Sequence, residues 1–147
     1  IHPAEMVRIT ARSMMCERNG IPELVQPFER VIYRFLPEDI FEPDLFLADQ
    51  LDLHPWNVPA RVIATPGHTS GSISVLTDDG DLFCGDLLVN RGTLQLNGLV
   101  DNQQEMRASL RRILRLPCKR IHPGHGRSFT IAQLKKATDK WSEYDEK

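Results

Sequence analysis

The sequence predicts a mixed α/β fold in which helices cover sheets of short strands. Two patterns predict it: apolar stretches bounded by turn residues fill the middle of the chain, and helical periodicity marks the regions on either side. The 147 residues, of which 41% are hydrophobic, suffice for one domain with a core and are too few to suggest two. No repeat or linker divides residues 1–147.

The first helix is predicted to begin at Pro3, because proline suits the first helical position and Glu5 suits the helix dipole. Its apolar residues recur at helical spacing as far as Met15, and Asn19-Gly20 marks its end. Four prolines interrupt residues 21–48, and we expect two short helical pieces joined by loop there.

From residue 45 onward the apolar stretches are short and predict strands. The Asp79-Gly80 pair predicts a tight hairpin turn between two of them. Residues 87–100 alternate only loosely and contain two glycines, so we expect a loop there. The predicted strands cover residues 45–47, 51–53, 61–64, 73–76, 82–84 and 118–121.

Two amphipathic helices are predicted in the second half of the chain. The first begins at a cap formed by Asp101 with Gln104 and ends before Pro117, with its arginines on a solvated face. The second begins at a cap formed by Thr130 with Gln133. Their predicted buried stripes are Met106, Leu110, Ile113 and Leu114, and Ile131, Leu134, Thr138 and Trp141.

The charge and cysteine content restrict the partners and the compartment. A net charge of −2 favours neither nucleic acid nor an acidic membrane surface as a partner. No apolar run approaches the roughly 18 residues that a membrane span needs. The three cysteines are widely spaced and odd in number, without a CxxC motif, which is typical of reduced thiols in a cytoplasmic protein.

Three short motifs share one design, in which a strand ends, a glycine bends the chain and a metal-capable side chain follows. His68 lies in TPGHT, Asp86 in FCGD and His125 in PGHG. Imidazole and carboxylate groups together suit zinc, iron or manganese, and Asp86 has two oxygens with which to bridge two metals. Each motif alone is also typical of a hydrogen-bonded turn or a helix cap, so the specific signal is the order of all three.

The motifs TPGHTSGS, LFCGDLLV and IHPGHG, in this order, resemble the C-terminal portion of the metallo-β-lactamase superfamily. The opening IHPAE is similar to the passage that follows the first metal motif of that family. The resemblance implies an αββα sandwich with metals at the sheet edge. It also implies that His68 is a ligand of the first metal, that His125 is a ligand of the second, and that Asp86 bridges both. Asp86 and His68 are accordingly the residues expected to be catalytic.

The leading motif of the family, HxHxDH, is absent from the sequence, as is an initiating Met. We therefore expect residues 1–147 to be a partial, N-terminally incomplete domain. The resemblance implies two zinc ions in the complete domain, with iron or manganese as alternatives, and weak metal binding by this chain alone. Missing strands would expose a sheet edge, through which we expect the chain to self-associate.

The other histidines are assigned structural positions. His2 is expected at a helix start, His54 at the surface of a hairpin segment, and His122 at the strand position before PGHG. Cys84 lies two residues before Asp86 and is expected to be a small buried apolar residue. Three polar residues after that strand could line a substrate pocket or an ordinary surface loop: Asn90, Arg91 and Asn97.

The resemblance favours a hydrolase in which metal-activated water attacks a small ester, thioester or lactone, and hence a small-molecule substrate. No CxGR-like stretch follows Asp86, and the last motif is PGHG rather than GHEYT, which argues against a typical hydroxyacylglutathione hydrolase. Two alternatives remain open: a non-catalytic interaction module with the same fold, and a redox enzyme with a single iron. An HxHxDH motif upstream in the complete reading frame would favour the hydrolase.

Overall fold

The computed structural model describes residues 2–5 and 43–142. Within them a six-stranded sheet carries two α-helices, and short 3-10 helices cover Pro3–Glu5 and His54–Trp56. The continuation of the first predicted helix and the pieces predicted within residues 21–42 lie outside the described residues. The strands are β1 Ala60–Ala64, β2 Ile73–Thr77, β3 Asp81–Asn90, β4 Leu94–Leu96, β5 Arg120–Gly126 and β6 Phe129–Thr130, and the helices are α1 Gln103–Ile113 and α2 Ile131–Ser142.

The strand order brings three strand ends to one edge of the sheet. The order is β1-β2-β3-β5-β6, with β4 paired to the far end of β3. β2 is antiparallel to both β1 and β3, whereas β3 and β5 are parallel. β1, β3 and β5 therefore run in the same direction. His68 follows β1, Asp86 lies in the second half of β3, and His125 lies near the end of β5.

One hydrophobic core lies between the sheet and both helices. Leu82 and Ile121 enter it from the sheet, Met106 and Ile113 from α1, and Leu134 from α2, and all five are almost fully buried. Burial of side chains of this size contributes about 1.5–3 kcal/mol each. The apolar residues of both predicted helical stripes thus belong to this core or pack against it, whereas the hydroxyl of Thr138 donates to the carbonyl of Lys135 at 2.8 Å. Within residues 2–5 and 43–142, no helix has the length and hydrophobicity that a membrane span requires.

The cap of α1 lies one residue later than predicted. Asn102, rather than Asp101, is the N-cap, and its side-chain oxygen accepts hydrogen bonds from the backbone N–H groups of Gln104 and Glu105 at 2.9 and 3.2 Å. The N–H of Asp101 donates instead to the carbonyl of Gly67 at 2.9 Å. A bond to a distant turn therefore takes Asp101 out of the capping position.

The cap predicted for α2 is confirmed. The backbone N–H of Thr130 donates to Oε1 of Gln133 at 2.8 Å, and the N–H of Gln133 donates to Oγ1 of Thr130 at 3.2 Å. This reciprocal pair satisfies two N–H groups at the start of the helix. Thr130 contacts none of the three candidate metal ligands described below.

The first two predicted strands are wrong. Residues 45–47 have no regular structure, and residues 51–53 contribute a single isolated bridge between Asp52 and Arg61. The chain follows the outer edge of β1 here. The positive φ of Gln50, 61°, turns the chain between the two segments.

The loop predicted over residues 87–100 is wrong as well, because β3 continues to Asn90 and β4 follows it. The pairing of β3 with β5 shifts its register on either side of Gly85. Beyond this shift Leu87 and Leu88 are both buried, which breaks the alternation by which a strand is recognised.

The last predicted strand begins later and runs further than expected. It starts at Arg120 rather than Cys118 and includes the PGHG motif, which is paired with β3. His125 lies opposite Val89 in this parallel pair. The second histidine of the candidate site is thus carried by a strand rather than by a free loop.

Candidate metal centre

His68 lies in the turn after β1, and this turn is packed against the start of α1. The carbonyl of Gly67 accepts hydrogen bonds from the N–H groups of Asp101 and Asn102 at 2.9 and 3.1 Å. A Cβ on Gly67 would lie 2.4 Å from Cα of Met106, and φ of Gly67 is 137°. Only glycine therefore allows the turn to approach the helix this closely.

A backbone carbonyl orients the ring of His68. Nδ1 lies 2.5 Å from the carbonyl oxygen of Leu99. Because a carbonyl can only accept, Nδ1 carries the proton, and in the neutral ring Nε2 carries the lone pair. Histidines that bind metals commonly have such a partner on the second nitrogen. The side chain of His68 is 12% exposed, so it is well enclosed.

Asp86 lies on β3, directly after the register shift at Gly85. A Cβ on Gly124 of the neighbouring strand would lie 2.2 Å from Oδ1 of Asp86. The absence of a side chain at position 124 therefore makes room for the carboxylate. The shift in β3 and the glycine in β5 together set where Asp86 can place its oxygens.

His125 lies near the end of β5, where the chain is tied to the end of β3. Nδ2 of Asn90 donates to the carbonyl of Arg127 at 2.8 Å, and the N–H of Arg127 donates to the carbonyl of Asn90 at 3.0 Å. The side chain of His125 is 48% exposed. The backbone around His125 is thus fixed by the neighbouring strand, whereas its ring faces solvent on one side.

The structure brings the three predicted residues together. Nε2 of His68 and Nε2 of His125 each lie 3.6 Å from the same oxygen, Oδ2 of Asp86. This separation exceeds the 2.7–3.2 Å range typical of hydrogen bonds. It is close to the roughly 3.3 Å that separates two ligands of a tetrahedral zinc ion with bonds of about 2.0–2.1 Å. The arrangement fits divalent metal ligands, and that role remains a prediction.

The candidate ligands do not make a complete metal site within the described residues. Within residues 2–5 and 43–142 no three histidine, cysteine or acidic side chains form a group that could hold a metal ion by themselves. Both histidines face one oxygen of Asp86, and the sequence prediction gives each of them to a different ion. This is the division that the resemblance implies, and it requires further ligands for each metal.

His122 lies outside the candidate site, at the strand position predicted for it. Its Nε2 lies 2.8 Å from Oδ1 of Asp81, and its Nδ1 lies 2.9 Å from Oγ of Ser128. The ring stacks on Phe83 with a centroid separation of 4.7 Å. Both ring nitrogens are therefore engaged in contacts that join β3 to the β5–β6 turn.

His54 and His2 also have the structural positions predicted for them. His54 is exposed, and its two ring nitrogens lie 2.5 Å from Asp52 and 2.9 Å from Asp78. The hydrogen bond to Asp52, and then the one to Asp78, raise the pKa of His54. Nδ1 of His2 accepts a hydrogen bond from the N–H of Ala4 at the start of the first 3-10 helix.

Cys84 is a buried apolar residue, as predicted. Its side chain belongs to the core, and burial raises the pKa of its thiol to about 12. A thiol with such a pKa stays protonated at neutral pH and is a poor metal ligand. Cys118 is likewise a free, buried cysteine whose pKa is raised by burial.

Three of the polar residues considered as pocket lining or as a solvated face make hydrogen bonds that involve backbone groups. Asn90 bonds to the Arg127 carbonyl, as described above, and Oδ1 of Asn97 accepts the N–H of Leu99 at 3.0 Å. Arg112 of α1 donates to the carbonyl of Ala64 at 3.2 Å and to Asp49 at 2.9 Å. The expectation of a solvated arginine face is therefore wrong for Arg112. Arg91 is exposed.

The sequence of this chain is similar to those of known proteins. The chain is 37% identical over 90 residues to a hydroxyacylglutathione hydrolase of Shewanella sp. (strain ANA-3). The aligned region covers 60% of this chain and 32% of the relative. It is 27% identical over 126 residues to an atrochrysone carboxyl ACP thioesterase of Aspergillus fumigatus. This second aligned region covers 79% of this chain and 36% of the relative. The chain thus spans about a third of the length of these curated relatives.

The fold is similar to that of TTHA1623, solved in a di-iron-bound form. The TM-score is 0.62 at 25% identity, over 93% of this chain and 61% of the solved one. The predicted fold class is confirmed by this likeness. The profile of the metallo-β-lactamase superfamily matches residues 5–125, most of the sequence. This chain therefore belongs to the metallo-β-lactamase superfamily.

Proposed function

We propose that the protein is a metal-dependent hydrolase of a small thioester, ester or lactone, with His68, Asp86 and His125 among its metal ligands. The observation that carries the proposal is the convergence of both Nε2 atoms on one oxygen of Asp86, at 3.6 Å each. A carboxylate that faces two imidazoles across this distance is suited to bridge two ions.

The chain's own residues prepare the site in three ways. The Leu99 carbonyl holds His68 with the Nε2 lone pair toward Asp86. Gly124 leaves room for the Asp86 carboxylate, and the half-exposed His125 marks the side from which a substrate could approach. A bound metal would lower the pKa of a water to about 7 and polarise the bond that is attacked.

The metal that we propose is zinc, with iron or manganese as alternatives. Imidazole and carboxylate ligands suit all three, and the similar TTHA1623 was solved in a di-iron-bound form. Elemental analysis of the purified protein, alongside assays with each added metal, decides between them. Stoichiometric iron would replace zinc in this proposal without changing the ligands.

The substrate class follows from the relatives and from the charge. One relative is named a thioesterase and another a hydroxyacylglutathione hydrolase, and both names describe acyl transfer to water. The sequence lacks the CxGR-like and GHEYT-like stretches noted above, so we propose a thioester other than a typical hydroxyacylglutathione. A net charge of −2 favours a small molecule over nucleic acid.

The test uses the complete protein that the reading frame encodes. We expect Asp86→Ala to lower both metal content and kcat/KM for a small thioester, the latter by more than about 100-fold, because a shared ligand supports both ions. Asp81→Ala is the matched control. It removes a carboxylate from the same strand, and this carboxylate contacts His122 rather than a candidate metal ligand. If Asp86→Ala keeps its metal and its activity, the proposal is wrong.

A further inference from the structure

Ser109 is a buried polar residue in the middle of α1, on a face that otherwise enters the core. It is 4% exposed and lies between the buried residues Met106 and Ile113. Serine is not favoured inside helices, and a buried hydroxyl without a partner is destabilising. The buried hydroxyl of Ser109 therefore needs a hydrogen-bond partner, a contact that an apolar side chain could not make.

That contact reaches the turn that carries His68. Oγ of Ser109 donates to the carbonyl of Pro66 at 2.7 Å, a short bond between residues 43 apart in the sequence. Pro66 lies two residues before His68, in the segment that leaves β1. The bond therefore fixes the distance between α1 and the backbone from which the histidine projects.

The bond from Ser109 is one of several from residues 99–112 to the same turn. The Leu99 carbonyl accepts from the ring of His68, and the start of α1 donates to the carbonyl of Gly67. Arg112 donates to the carbonyl of Ala64. Residues 99–112 thus bond to four positions between residues 64 and 68, and Ser109 is the more deeply buried of the two side chains that donate.

We propose that Ser109 is a positioning residue for His68, an inference that rests on the proposed function of His68 as a metal ligand. When the hydroxyl of Ser109 is removed, the carbonyl of Pro66 loses its hydrogen-bond donor, and the turn can move away from α1. The ring of His68 then shifts relative to the Leu99 carbonyl and to Oδ2 of Asp86. Ser109 thereby tunes metal binding without contacting metal or substrate.

The experiment compares three variants of the complete protein. Ser109→Ala removes the donor, Ser109→Cys keeps the side-chain volume with a much weaker donor, and Thr130→Ala weakens the cap of α2 far from the site. Cobalt(II) affinity reports on metal binding. Imidazole nitrogen NMR signals of the metal-free protein report on the tautomer and surroundings of His68, with His54 and His122 as internal references.

We expect Ser109→Ala to weaken cobalt binding about 10–100-fold and to move the His68 signals, with Ser109→Cys intermediate. Thr130→Ala should change neither. The proposal is overturned if Ser109→Ala matches the wild type in both measurements, or if Thr130→Ala changes both equally. Ser109→Cys supplies the same decision if the alanine variant does not fold. A wild type that binds no cobalt would refute the proposed function, whereas the NMR signals would still decide the role of Ser109.

Discussion

The two histidines of the candidate site lie at the same distance from the same carboxylate oxygen but are held differently. The side chain of His68 is 12% exposed and that of His125 is 48% exposed. The ring of His68 is anchored by the Leu99 carbonyl. Among residues 2–5 and 43–142, the ring of His125 faces one polar side chain, that of Asp86.

The difference in exposure and anchoring reflects two kinds of contact that build the candidate site, one between a turn and a helix and one between two strands. The His68 half depends on a turn pressed against α1, whereas the Asp86 and His125 half depends on the pairing of β3 with β5. A substitution that separates the turn from α1 should also lower the stability of the core, because α1 is part of that core. Damage to the second half should weaken metal binding with a smaller loss of stability.

The largest effect is expected from Gly67→Ala. The new Cβ would lie 2.4 Å from the backbone of Met106, at a φ of 137° that alanine rarely adopts. Overpacking and backbone strain together should lower the free energy of unfolding by at least about 2 kcal/mol. Urea unfolding measures this loss. Gly98→Ala is the control, since a Cβ there meets no atom within 4 Å. Equal stability of the two variants would contradict the comparison.

The second effect is expected from Gly124→Ala, which tests the other half. Its Cβ would lie 2.2 Å from Oδ1 of Asp86, so the carboxylate must move from the position in which its Oδ2 faces both histidines. Because the clash is with a side chain that can move, we expect a stability loss of about 1 kcal/mol. Metal affinity should fall about 10–100-fold. Isothermal titration of zinc into the complete protein, with Gly98→Ala alongside, measures the affinity. Unchanged binding would show that Asp86 is not a ligand.

The sequence predicted the three residues of the candidate site but not the contacts that hold two of them. His68, Asp86 and His125 stand in motifs whose order is visible in the chain. Leu99 acts through its backbone oxygen, which no side chain reveals. Ser109 left a signal that could have been used, since a serine three residues after Met106 lies on the buried face of the helix.

The fold was predictable where local patterns decide it and not where distant segments meet. The cap of α2 is a local pattern and was predicted correctly. The register shift at Gly85 arises from pairing with β5 and hid the second half of β3. The helical pattern predicts a solvent-exposed side chain for Arg112, because no neighbouring residue in the sequence indicates its partner Asp49, which is 63 residues away. Burial raises the pKa of Asp49, and hydrogen bonds from Arg112 and Ala64 outweigh it and hold that pKa below its ordinary value.

A third histidine, His54, sharpens the comparison because its partners dictate the opposite protonation. Asp52 and Asp78 are both carboxylates, which only accept, so two hydrogen bonds from the ring require the imidazolium form. The Leu99 carbonyl accepts a hydrogen bond from Nδ1 of His68 and so requires only one proton on that ring. His54 also lies beyond the opposite end of β1, so its titration should not affect metal binding.

The smallest predicted effect is therefore a pH-dependent contribution of His54 to stability. Its pKa is raised by Asp52 and then Asp78, so the contribution is complete below the ordinary histidine value of about 6.5 and is lost as the pH rises through the raised value. The pKa of Asp52 is lowered by the backbone and side-chain hydrogen bonds of His54, so the acid limit lies below about pH 4. Thermal unfolding of the wild type and His54→Gln should differ most between about pH 4 and 6.5, and less in 1 M salt because the groups are exposed. A difference that stays constant from pH 5.5 to 8.5 would show that the imidazolium form of His54 contributes nothing to stability.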